Sequence, residues 1–98
     1  MKIHELKTDP DVFQQVWEGQ KTFEIRKNDR NFQVGDMLVL RETEFSGKQM
    51  TEGMTLEYTG LQVVAIAISL MCGPIYGLCE DWCIMSIKPI WRSDHLCA

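Results

Sequence analysis

Residues 62–70, Gln-Val-Val-Ala-Ile-Ala-Ile-Ser-Leu, limit what this chain can become more than any other stretch. β-Branched side chains pack well on a pleated sheet, and their stiff χ1 angles are a handicap in a helix. A run with apolar residues on both faces belongs in the middle of a sheet, so Gln62–Leu70 is predicted to be a central strand. The longer apolar run, Leu61 to Met71, is broken by Gln62 and Ser69. It falls well short of the roughly 20 residues that cross a bilayer. A central strand needs neighbours on both sides, and the rest of the chain is read for them.

Residues 2–7 alternate weakly and predict a short first strand. Thr8-Asp9-Pro10-Asp11 then reads as a helix start, with Asp9 as cap, Pro10 in the first turn and Asp11 at the positive end. Val12, Phe13, Val16 and Trp17 supply one apolar face, and Gly19 ends the helix in the left-handed conformation. From Lys21 to Lys27 the period becomes two, which predicts a strand. Phe23 and Ile25 are expected to point into the interior. Glu24 and Arg26 are expected to project into a concave space beside the helix carrying Trp17, and Lys21 to enter it from the turn.

A polar turn at 28–31 and a tight turn at Val34-Gly35-Asp36 lead into a buried strand at Met37–Leu40. In that turn Asp36 is expected to cap backbone N–H groups, and His4 reads as a strand-edge histidine. Residues 42–53 read as a polar hairpin or loop with few core residues. Leu56–Leu70 reads as two strands separated near Thr59 and Gly60. Residues 72–77 read as an irregular loop, Trp82–Ile90 as the last strand with Cys83, Met85 and Ile87 on one face, and Ser93–Ala98 as a frayed end.

One early helix followed by about five strands with short connections predicts a mainly β, α+β domain spanning residues 1–98. It is expected to be a small barrel of five to six strands with the helix covering an open end, and a cleft where helix and barrel mouth meet. The 98 residues leave no room for a second domain. Ten basic against fourteen acidic residues give a formal charge of −4, which argues against sequence-independent coating of duplex DNA. The first residues contain no apolar signal segment, so a cytoplasmic location is expected. Cys72, Cys79, Cys83 and Cys97 contain no CxxC pair, and with only His4 and His95 as imidazoles no metal or cofactor is expected. Idle thiols are the reading, with a metal site or a bridge such as Cys79 to Cys83 as the alternatives.

Against the acidic whole, residues 19–30 hold four basic side chains (Lys21, Arg26, Lys27, Arg30) and two acidic ones, Glu24 and Asp29. Glu24 and Arg26 share a strand face about 7 Å apart at roughly 3.4 Å per residue. Lys21 and Arg26 suit a phosphate or a carbonyl oxygen, and Glu24 suits a base amino group or a proton to be abstracted. A surface ion pair worth about 0–1 kcal/mol is the plainer alternative.

Gly19-x-Lys21-x-x-Glu24-x-Arg26 resembles the G-x-K-x-x-E-x-R motif of the ASCH superfamily, a branch of the PUA-like β-barrels. His4-Glu5-Leu6-Lys7-Thr8, Lys21 through Arg30, and Phe32-x-Val34-Gly35-Asp36-x-Leu38-x-Leu40 resemble the DUF3850 family within it, as does Met85-Ser86-Ile87; residues 42–57 match least. The resemblance implies RNA, a nucleotide or a modified nucleoside as ligand. The expected contacts are Lys21, Thr22, Glu24, Arg26, Lys27 and Arg30, with Tyr76 the best of several rings placed to stack on a base.

Some similar proteins are small amidohydrolases that deacylate N4-acetylcytidine with a Lys, a Thr and a later Glu. Lys21 matches their Lys, but Glu24 holds their Thr position, and Glu57 and Glu80 are only candidates for their Glu. The enzyme alternative therefore uses Glu24 to activate water and Lys21 to steady the oxyanion. A third alternative is a protein-interaction adaptor working through Glu42, Glu44 and Glu52.

Overall fold

The computed structural model describes residues 1–94, in the order β1 (Ile3–Thr8), α1 (Pro10–Trp17), β2 (Phe23–Lys27), β3 (Met37–Thr43), β4 (Tyr58–Cys72) and β5 (Trp82–Arg92). The strands form one mainly β, curled sheet in the order β1-β3-β4-β5-β2. β4 lies at the centre, as its composition demands. β1 runs parallel to β3, and the other neighbours are antiparallel. A parallel pair needs a crossover, which α1 begins by packing against β3. β2 then leaves to the far edge beside β5. Register shifts at Arg41/Thr43, Val64/Ala65 and Ala67/Ser69 bend the strands.

The inner face alternates along every strand, with Leu6, Leu38, Leu40, Val63, Ala65, Ala67, Cys83, Met85 and Ile87 in one buried cluster. Phe13 and Val16 of α1 and Phe32 of the loop before β3 complete it. No helix among the described residues is long and apolar enough to cross a membrane.

Several expectations require correction. Residues 58–72 form one strand; Gly60 sits within it at φ +95°, a conformation open to glycine that absorbs the bend expected to separate a pair of strands. Glu42 and Thr43 belong to β3 and are buried. Glu42 accepts hydrogen bonds from Gln14 Nε2 at 2.8 Å and Thr59 Oγ1 at 2.9 Å, so its carboxyl is held inside. Asp9 does not cap α1 with its side chain. Its Oδ1 instead accepts from Gly47 N–H at 3.0 Å, tying the segment after β3 to the helix start. Ser93 is pinned, its Oγ accepting from Gln62 N–H at 3.0 Å. His95 and Cys97 lie outside the described residues.

Asp36 caps as expected, accepting from Lys2 N–H at 3.1 Å and Gln33 N–H at 3.0 Å. His4 is buried on its edge strand, its Nε2 at 2.8 Å from Asp36 Oδ2 and its ring edge-on to Phe32. The hydrogen bond from His4, joined by those from the two backbone N–H groups, holds the Asp36 carboxyl down at about 2 despite burial.

Candidate functional site

The largest departure from expectation is the orientation of β2. Phe23 and Ile25 are 41% and 46% exposed, while Glu24 is 2% exposed. The two faces are sorted as the alternation requires, but the polar face is the inner one. Glu24 stands opposite Met85 and Arg26 opposite Cys83, both buried core positions. A lone carboxylate there would be prohibitively costly, but this one has a cation on each oxygen. Lys21 Nζ pairs with Oε2, and Arg26 reaches Oε1 through Nε at 3.0 Å and Nη2 at 2.9 Å. The apolar pair finds its company outside, where Ile25 stands opposite Ile84 and Ile84 opposite Met71.

Arg26 also joins the two edges of the sheet. Its Nη1 donates to the Lys7 carbonyl and its Nη2 to Thr8 Oγ1, each at 3.1 Å, and Arg30 Nη1 donates to the Glu5 carbonyl at 2.9 Å. β1 and β2 share no backbone ladder. Guanidinium groups therefore span a seam in the curled sheet, and the seam is the cleft.

The cleft measures about 810 Å³ and is walled by Leu6, Lys7 and Thr8 on one side and by Lys21 and 23–27 on the other. A volume in this range suits a small organic ligand. Asp9 and Val12 at the start of α1 close one end. Trp17 is absent from it: the indole lies at the other end of α1 under the Arg92 guanidinium, 4.5 Å away.

Five basic side chains (Lys7, Lys21, Arg26, Lys27, Arg30) and three acidic ones (Asp9, Glu24, Asp29) line the cleft, a positive excess in a chain of charge −4. Lys21 Nζ also donates to the Phe23 carbonyl at 2.5 Å, which occupies two of the three ammonium protons. Among the described residues, Arg26 keeps one Nη1 proton beyond those given to Glu24, Lys7 and Thr8. The cleft floor thus holds two cations around one carboxylate, with one N–H of each cation left for an incoming oxygen.

The structure brings Lys21, Glu24, Arg26, Lys27 and Arg30 together on this cleft, and leaves Thr22 and Tyr76 away from it. Thr22 is exposed, and its carbonyl accepts from Ile87 N–H at 2.9 Å. Tyr76 is 94% exposed and lies with Ile25, Met71 and Ile84 on the outer face. Glu57 and Glu80 are exposed and do not line the cleft.

Phe45, Met50 and Leu56, from the segment after β3, and Trp82, from the start of β5, form its apolar wall. The three from the loop went unread in the sequence because they follow no period; their signal was apolar side chains isolated in a polar stretch. The Asp9 to Gly47 bond and the Glu44 N–H to Glu57 carbonyl bond at 2.9 Å hold that wall in place.

A stretch of this chain is similar to a protein of Escherichia phage P2, described as "Uncharacterized 12.9 kDa protein in GpA 3'region". The two are 42% identical over 57 residues, covering 55% of this chain and 52% of the phage protein, so the match spans about half of that relative's length. The family model described as "Domain of unknown function (DUF3850)" matches residues 3–87, which contain both walls of the seam and the Lys21, Glu24 and Arg26 cluster. The chain belongs to the DUF3850 family.

Proposed function

We propose that the chain is a PUA-like, ASCH-type module that binds a nucleotide, a modified nucleoside or a short single-stranded RNA in the seam between β1 and β2. The observation that carries this reading is the cluster of Lys21, Glu24 and Arg26 at the cleft floor: two cations on one buried carboxylate, each with an N–H to spare. A phosphate or base carbonyl accepts from those donors, and the one lone pair left on Glu24 Oε2 accepts from an exocyclic amino group. Phe45 and Trp82 offer faces for a base. Lys7, Lys27 and Arg30, all exposed, would meet phosphates at the rim.

Binding fits this geometry better than hydrolysis. Both Glu24 oxygens are already engaged by Lys21 and Arg26, which leaves little room to orient an attacking water. Titrating nucleoside monophosphates, N4-acetylcytidine and short single-stranded RNAs against the protein tests the reading. At least one should bind, and Lys21→Ala should weaken it by about tenfold, equal to ~1.4 kcal/mol. If the intact chain binds none of them, or Lys21→Ala changes nothing, the reading is wrong. Release of acetate from N4-acetylcytidine, absent with Glu24→Gln, would favour the amidohydrolase alternative.

A further inference from the structure

At the end of the sheet where β4 turns into β5, two thiols face one another outside the cleft. Cys72 closes β4, Cys83 is the second residue of β5, and the two are register partners. Next to them Gly73 N–H donates to the Trp82 carbonyl at 2.8 Å. Hydrogen-bonded and non-hydrogen-bonded pairs alternate along an antiparallel ladder, so Cys72 and Cys83 occupy a non-hydrogen-bonded pair. In such a pair the Cα atoms stand about 4.5 Å apart with both side chains on one face. That separation falls within the roughly 4.4–6.8 Å that a disulfide spans. The face is the inner one: two residues earlier, Leu70 stands opposite Met85 and packs on the core.

The two thiols differ in access. Cys72 is exposed, and Cys83 is fully buried. Burial, with Cys72 close by, pushes the Cys83 thiol above its ordinary range. Cys79 is exposed in the intervening loop, but it is in register with neither, and its carbonyl accepts from Trp82 N–H at 3.2 Å. The loop is closely fitted there, since a Cβ added to Gly73 would come within 2.1 Å of the Cys79 oxygen. From the sequence idle thiols are the main expectation, with Cys79 to Cys83 an example of a bridge; the register instead favours Cys72 and Cys83.

We infer that Cys72 and Cys83 form a reversible oxidative modification site, in which Cys72 reacts with a small disulfide such as glutathione disulfide and Cys83 resolves the adduct into a cross-strand disulfide. The Cys72 thiolate attacks one sulfur of glutathione disulfide, breaking its S–S bond and releasing one glutathione thiolate. Cys83, losing its proton to water, then attacks the Cys72 sulfur and displaces the second glutathione. The two protein thiols give up two electrons and two protons, and one glutathione disulfide becomes two thiols. Cys83 also stands opposite Arg26, so the bridge would staple the strand against which the cleft motif is laid. This site stands whether or not the cleft takes a nucleotide.

The test exposes the folded chain to glutathione disulfide, blocks the remaining thiols, and maps the linkages by peptide mass. The expected main product is a Cys72–Cys83 link that dithiothreitol reverses and that Cys79→Ser leaves intact. Cys83→Ala should instead accumulate glutathione on Cys72. Because the wild-type linkage is read directly, the test remains decisive even where Cys83→Ala fails to fold. A folded wild-type chain without the Cys72–Cys83 link, or with a dominant link through Cys79 or Cys97, overturns the inference.

Discussion

Arg26 in β2 donates from Nη1 to the main-chain carbonyl of Lys7 in β1 at 3.1 Å, joining two strands at opposite ends of the sheet order. The same guanidinium holds Glu24, so one side chain both closes the seam and balances the cleft's buried charge. Arg26→Ala removes the bonds to Lys7, Thr8 and Glu24 together. Breaking a buried ion pair from one side costs about 3–5 kcal/mol, and Lys21 still holds the other oxygen, so a loss of ~3 kcal/mol is expected. Arg30→Ala, at an exposed residue with one carbonyl bond, should cost under ~1 kcal/mol. Urea midpoints for the two variants check this, and equal midpoints would deny Arg26 its bridging role.

Lys21→Ala separates binding from folding. Glu24 keeps Arg26 when Lys21 is removed, so stability should fall by only ~1–2 kcal/mol while ligand binding weakens about tenfold. The binding that remains should also depend less steeply on salt, because one cation has left the site. Titrations at two salt concentrations read both effects, and an unchanged slope would place Lys21 outside the contact.

The inverted faces of β2 predict an unusual pair of results. Ile25→Thr, at a position 46% exposed, should cost less than about 1 kcal/mol, whereas Met85→Ala, fully buried across the ladder from Glu24, should cost ~2–5 kcal/mol. Denaturation midpoints that reversed this order would return Ile25 to the core.

Asp36 sets an acid limit. Its carboxyl stands at about 2 in the folded chain against an ordinary value of 3.8. A depressed folded value means the contribution is complete above 3.8 and is lost as pH falls from there towards 2. Asp36→Ala should therefore destabilise the chain at pH 6 by ~1–3 kcal/mol, leaving the Lys2 and Gln33 N–H groups and His4 without their acceptor. The gap between variant and parent should narrow below pH 3. Thermal melts across pH 2–7 would show it, and a gap independent of pH would exclude the carboxylate as its source.

Much of this architecture is legible in the residues, because local rules govern it. Pro10 and Gly19 bracket a helix, Val and Ile mark the central strand, and the alternation of Cys83, Met85 and Ile87 reads directly as a buried face. The motif from Lys21 to Arg26 is equally visible. Its orientation is not, because Phe23 and Ile25 are the natural inward pair until Lys21 and Arg26 are known to neutralise Glu24, a fact of three-dimensional proximity. The strand order has the same character: nothing between residues 23 and 27 names β5 as their partner. The arginine struts escape a sequence reading as well, since their acceptors are backbone carbonyls that carry no residue identity.

The placement of β2 beside β5 has a consequence for the order in which the molecule is completed. Lys21, Glu24 and Arg26 leave the ribosome more than fifty residues ahead of Trp82–Arg92, yet that strand, the last of the five described, gives them their ladder. Pairing across such a long stretch of chain is slow to form. A nascent chain halted before Trp82 would carry every motif residue and no assembled pocket, so ligand capture would report that β5 has been added.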